Sequence, residues 1–147
     1  MKVLSIIQPW ASLIAVGIKD IENRTWKTNY RGKILLHASA SVANKDWSIL
    51  SPAQREAAKA LICPFGVENS PLKLGRSAII GEATLVDCVI GHSSIWAEKD
   101  VWNWVLKDMK LFSIPTYNVK GKLNLWDFDE SKLISKNYHL FYETIFI

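Results

Sequence analysis

Lys19, Glu22 and Arg24 fall within one short run, GIKDIENRTW (17–26). If that run is extended, its period of two sets Glu22, Arg24 and Trp26 on one face. An arginine so placed can clamp a phosphate or a base edge with its planar fork of donors. Lys19, just past a glycine that can stop a helix, adds a second cation or, if desolvated, a base. Glu22 can orient Lys19 or accept from an exocyclic amine, as a carboxylate does from cytosine. The plainer alternative is a surface Glu–Arg pair of small energetic worth. A second run, VKGKLNLW (119–126), spaces Lys122, Asn124 and Trp126 at i, i+2 and i+4, opposite Leu123 and Leu125. It reads either as a matching wall of the same cleft or as an ordinary amphipathic strand with a covering Trp. His37 and Ser39 also share a strand face, about 7 Å apart along the backbone. No acid is identifiable to orient the histidine, so local hydrogen bonding is the simpler reading. His92, near Asp87 and Cys88, and His139 lack metal-ligand spacing. Neither a metal nor a cofactor is expected.

These residues need elements to hold them. KVLSII (2–7) reads as a strand, and Pro9, Trp10, Leu13 and Ile14 as a short helix stopping at Gly17. A strand over 20–26 and a turn at TNYRG (28–32) follow. KILLHASA (33–40) is a strand with Ile34, Leu36 and Ala38 on one face and Leu35, His37 and Ser39 on the other. SPAQREAAKALI (51–62) has the marks of a helix, with Ser51 and Gln54 forming a capping box and Pro52 in the first turn. Residues 63–75 read as a loop, and SAIIGEATLVDCVI (77–90) as a long strand bent at Gly81. Trp102, Val105, Leu106 and Met109 predict a helix over 97–108. Two extended pieces within 114–129 and a last strand over 138–147 complete the chain. The class is α+β, a curled sheet or small barrel with a few helices.

Composition narrows the function. Hydrophobic residues make up 49% of 147 and charged ones 22%, which suits a single packed domain over 1–147. No apolar run approaches the roughly 18 residues of a membrane span, and the N-terminal run is short for a signal sequence. A cytoplasmic protein is expected, with Cys63 and Cys88 as reduced core thiols. The net charge of +4 mildly favours an anionic partner. There is no phosphate-cradling glycine loop and no block of basic residues, so a duplex footprint is not indicated. Seven Trp residues suggest stacking surfaces as well as core; Trp47, Trp96, Trp102 and Trp104 are read as packing. Scattered Lys and Arg beside Trp fit single-stranded RNA, a nucleotide or a nucleoside. Oligomeric state is not legible.

Residues 4–39, LSIIQPWASLIAVGIKDIENRTWKTNYRGKILLHAS, resemble the N-terminal half of an ASCH domain. The signature is G-x-K-x-x-E-x-R, here Gly17, Lys19, Glu22 and Arg24, flanked by Gln8-Pro9-Trp10 and RGKILLHAS. GEATLVDCV (81–89) and IPTYNVKGKLNLW (114–126) resemble later segments of the family more loosely. The resemblance implies a PUA-like fold, a small β-barrel flanked by helices, with the first helix and the signature strand lining a cleft. It implies binding of RNA, a nucleotide or a modified nucleoside. Lys19, Glu22, Arg24, Trp10, Trp26, Ser39, Lys122 and Trp126 are the expected ligand-binding residues. One branch of the family hydrolyses acetylcytidine, with a Thr nucleophile where this chain has Glu22 and a Lys that matches Lys19; ribonuclease activity has been suggested for others. A carboxylate in that place would give an anhydride, and Thr25 faces the other way, so that mechanism does not carry over. The alternative to a binding module is a small hydrolase of acylated nucleosides or RNA, with Lys19 and Glu22 catalytic and Glu22 as general base on water.

Overall fold

Alternating apolar residues build both faces of a sheet. The computed structural model describes residues 1–42, 48–59 and 76–138. Its first strand, β1 (Lys2–Gln8), sends Leu4 and Ile6 into one apolar cluster and Val3 into another. Strand β3 (Gly32–Val42) divides likewise, with Ile34, Leu36 and Ala38 on the first side and Leu35 on the second. β1 and β3 pair in parallel, so the chain must cross over between them. The crossover holds helix α1 (Trp10–Ala15) and strand β2 (Ile21–Arg24). A helix of six residues is marginal by itself; α1 is held because Ala11 to Ala15 are all buried.

Three further strands, β4 (Ala78–Val89), β5 (Trp102–Thr116) and β6 (Leu125–Asp127), complete a six-stranded sheet in the order β2-β5-β4-β3-β1-β6. In a flat sheet β2 and β1 would lie about 19 Å apart, four strand spacings. Instead Arg24 Nη2 of β2 donates to Ser5 O of β1 at 2.8 Å. The sheet is therefore curled into a half-barrel, and with its short helices it is the α+β, PUA-like small barrel expected from the sequence.

Gly81 makes the curl possible. The β4–β5 register shifts between Ile79 and Gly81, and a Cβ on Gly81 would stand 2.2 Å from Lys110 O and 3.3 Å from Ala15 Cβ. Here α1 and β5 both press on the backbone of β4.

The expected helix over 97–108 is not formed. Trp102 begins a strand of 15 residues that pairs with β2 on one side and β4 on the other. Local spacing misleads because Trp104 and Leu106 reach the core while Asn103 is buried in a polar network, and bulges opposite β5 break strict alternation. The extended piece expected to carry Lys122, Asn124 and Trp126 on one face is also shorter than expected. β6 begins at Leu125, because Asn124 adopts a left-handed conformation (φ 61°). Helix α2 (Pro52–Ala57) carries the capping box of Ser51 and Gln54. The last three residues of the helix expected over 51–62, the loop over 63–75 with Cys63, and Trp47 and His139 lie outside the described residues. So does the final strand, except that Tyr138 bridges Phe112. Cys88 is buried as a free thiol. Among the described residues, no helix is long and apolar enough to cross a membrane.

Gly81→Ala is expected to destabilise the fold by about 3 kcal/mol, the upper end of the usual overpacking range, since the methyl group meets backbone that cannot move without breaking the β4–β5 ladder. Urea unfolding followed by circular dichroism measures this.

Candidate functional site

β2 starts directly after α1, and its connection is tied back to the helix: the Ile18 and Lys19 amides both donate to Leu13 O, at 3.1 and 3.0 Å. This places Lys19 and Glu22 inside, at 4% and 7% exposure. Lys19 Nζ donates to Ile21 O, lies 3.7 Å from Glu22 Oε1 and sits 5.5 Å from the centre of the Trp10 ring. Arg24 reaches the other carboxylate oxygen, Glu22 Oε2, with Nε at 3.2 Å and Nη2 at 2.8 Å. One carboxylate thus balances two cations. Burial, the largest influence, pushes the Lys19 ammonium below its ordinary pKa of 10.5. Glu22 and Glu98 oppose that shift, while Arg24 adds slightly to it.

Above these charges is an open cavity of about 410 Å³, bordered by Ser5, Trp10, Lys19, Glu22 and Arg24 from the first half of the chain. Trp96, Glu98 and Gln54 close its far side. The Trp10 and Trp96 rings meet edge to face, 6.5 Å apart at 74°. Trp96 and Glu98 belong to the connection between β4 and β5, which has no regular structure of its own. Two asparagines hold it. Asn23 Nδ2 donates to Trp96 O at 2.9 Å, and Asn23 Oδ1 accepts from the Glu98 amide at 3.0 Å and from Asn103 Nδ2 at 2.9 Å. Asn103 Nδ2 also donates to Glu98 O at 3.1 Å, and Asn103 Oδ1 accepts from the His92 amide at 3.0 Å. Asn23 and Asn103 are direct partners in the β2–β5 register, so the network follows from strand pairing. Ser94 Oγ completes the tie, donating to Asp20 Oδ1 at 2.6 Å and accepting from the Trp96 amide at 3.1 Å. Gln54 Nε2 donates to Ile95 O at 2.9 Å, docking α2 on the same connection.

The structure brings together Trp10, Lys19, Glu22 and Arg24 from the expected set. It places the other four elsewhere. β2 ends at Arg24 and the chain bends, so Trp26 leaves the Glu22 face. Its ring packs perpendicular to Trp104 at 4.6 Å, and its carbonyl accepts from Trp104 Nε1 at 3.2 Å. Ser39, partly exposed on β3, does not border the cavity. Trp126 is buried edge-on against His37, with ring centres 5.7 Å apart, and donates through Nε1 to Ser5 Oγ at 3.1 Å. Lys122 lies over the Trp126 ring at 5.7 Å. His37 is committed to Val119 O, 2.6 Å from Nε2, which must carry the proton because a carbonyl only accepts. Its burial holds the imidazole pKa below 6.5, with the Val119 hydrogen bond opposing. Trp96, read from sequence as packing, lines the cavity while largely buried. Asn23 and Glu98 carried no expectation, and Gln54 was expected only as a helix-capping residue. The one sequence signal for Asn23 was its place between Glu22 and Arg24, facing the opposite way. Among the described residues, no group of three or more His, Cys, Asp or Glu could hold a metal ion.

The lowered Lys19 pKa has a defined sign in stability. Between its folded pKa and 10.5 the unfolded chain binds more protons, so its contribution rises with pH across that window. It is complete above 10.5 and absent below the folded value. Relative to Lys19→Met, the wild type should gain stability as pH rises toward 10.5, by no more than about 1.4 kcal/mol per pH unit. Paired denaturation curves from pH 7 to pH 10.5 test this; parallel curves would show that Lys19 titrates normally.

The ASCH domain model matches residues 4–112 of the chain. Over 86 residues the chain is 35% identical to activating signal cointegrator 1 of Homo sapiens, and 34% identical to activating signal cointegrator 1 of Mus musculus. Each match covers 58% of this chain and 14% of the relative.

Proposed function

The chain belongs to the ASCH domain family, and from that premise we propose that its cavity binds an unpaired base of RNA or a modified nucleoside. The charge balance of the cavity carries the reading. Lys19 and Arg24 are matched by Glu22 and Glu98, so the site offers donors and acceptors without a strong net field. Such a lining suits a neutral heteroaromatic ring with a polar edge better than a polyphosphate. Arg24 spends Nε and Nη2 on Glu22 and Ser5, and among the described residues its Nη1 has no partner, leaving a donor for a base carbonyl. Glu22 and Glu98 are the acceptors for an exocyclic amine. Trp10, half-buried at the opening, supplies the face for stacking. On this reading residues 1–147 act as one domain in the cytoplasm.

A second reading has one specific support. Lys19 is a buried amine with a lowered pKa, 3.7 Å from a carboxylate, at the wall of an open cavity. Such a pair could activate water against an acylated nucleoside. Turnover of acetylcytidine that is lost in both Lys19→Ala and Glu22→Ala would favour the hydrolase over the binding module.

Binding is tested by titrating nucleosides and short single-stranded RNAs while following Trp fluorescence. Trp10→Ala should weaken binding by roughly tenfold or more, the usual cost of losing a base–aromatic stack, and Trp10→Phe should restore most of it. If nothing binds at millimolar concentration, or if Trp10→Ala binds as the wild type does, this cavity is not the site.

A further inference from the structure

Lys120 and Lys122 are exposed on the loop between β5 and β6, and Gly121 between them sits against Ser5, a residue of the cavity wall. The loop is firmly seated. The Val119 amide donates to Ser77 O at 2.9 Å, and Val119 O accepts from His37 Nε2 at 2.6 Å. Gly121 lies so close to the sheet that a Cβ there would come within 2.9 Å of both His37 Cε1 and Ser5 Oγ. Lys122 is laid over Trp126, whose indole N–H is itself bonded to Ser5 Oγ. Ser5 is therefore a shared wall. Its carbonyl holds Arg24 at the cavity, and its hydroxyl side carries the lysine loop.

The two sides differ in charge. Among the described residues Lys120 and Lys122 have no carboxylate partner; Lys27, Lys99, Lys107, Lys110 and Lys132 have none either, and what sets the pair apart is that Gly121 between them is seated on Ser5 of the cavity wall. A balanced cavity and an unbalanced basic loop, separated by one residue of β1, fit the two parts of a nucleotide chain. The base needs hydrogen bonds and stacking; the phosphodiester needs cations.

We propose that the Lys120-Gly121-Lys122 loop is a phosphate subsite for the residues adjoining the base in the cavity. The ligand class is then a single-stranded oligonucleotide rather than a free nucleoside. This rests on the base-binding reading above and extends it. Gly121 is what lets the loop approach Ser5 so closely, and the two lysines are its immediate neighbours in the chain.

The experiment compares wild type with the Lys120→Gln, Lys122→Gln double variant. Each is titrated with four nucleosides and with five-residue homopolymeric RNAs at several salt concentrations. In the wild type, the oligonucleotide matching the best nucleoside should bind at least tenfold tighter than that nucleoside. The variant should lose most of this advantage. Its slope of log affinity against log salt should be smaller by about 1.4, since each phosphate neutralised on a single strand contributes roughly 0.7. An unchanged slope, or an oligonucleotide that binds wild type no better than the nucleoside, overturns the subsite while leaving the base pocket standing. Failure of nucleosides and oligonucleotides alike overturns both.

Discussion

Everything in the site depends on Glu22 being held between two cations. Its carboxylate gives Oε1 to Lys19 and Oε2 to Arg24, and that second bond orients a guanidinium whose Nη2 also reaches the backbone of β1. Three strands separate β2 from β1 in the sheet order, so this is a bond across a barrel mouth. Remove the carboxylate and two cations are left in a largely dry wall with no counter-charge. Breaking a buried pair this way ordinarily costs several kcal/mol, because the remaining charge cannot recover its hydration. Apolar packing could close the same seam at less desolvation cost. The charged arrangement instead leaves polar groups fixed at the floor of a cavity, oriented before any ligand arrives.

The fixed floor needs a roof, and the roof is built from irregular backbone. Trp96 anchors the connection in an apolar cluster with Leu13, Ile21 and Leu50, and side-chain amides that imitate strand hydrogen bonds fix its backbone. Asn23 and Asn103 face each other in the β2–β5 ladder and together satisfy four groups of the connection: the Trp96 and Glu98 carbonyls and the His92 and Glu98 amides. Asn103 is fully buried, where an unpaired amide would be costly, and neither of its polar atoms is unpaired. β2 therefore works on both faces. Glu22 and Arg24 build the floor, and Asn23 between them hangs the roof.

Local pattern was a good guide wherever one side of an element is buried. The alternation of 33–40, the α1 face through Leu13 and Ile14 and the bend at Gly81 stand in the structure, and so does the capping box at Ser51 and Gln54, a purely local signal on a helix with no buried residue. It failed at 102–116, where pairing with β2 and β4 decides the strand and leaves inward positions that are apolar at Trp104 and polar at Asn103. Half of the expected ligand set converged because it lies on one continuous stretch from α1 to β2. Trp26 did not, because phase along a strand holds only while the strand lasts, and β2 is four residues long. Trp96 was invisible for the converse reason. Its place in the wall depends on a hydrogen bond from Asn23, 73 positions away, which no window of sequence contains.

The separation of cation roles follows from the same geometry. A lysine or arginine that must hold the barrel shut cannot also be a free phosphate clamp, since its charge and most of its donors are already used. Arg24 retains one unspent nitrogen, and Lys19 is almost wholly buried. The net charge of +4 is therefore not concentrated in the G-x-K-x-x-E-x-R motif, where Glu22 offsets Lys19 and Arg24. Under the proposed phosphate subsite it acts instead through lysines without carboxylate partners, where the surface continues the cavity. Ser5 makes that continuation physical: its peptide carbonyl ends the Arg24 chain of bonds, and its hydroxyl accepts the Trp126 indole beneath Lys122.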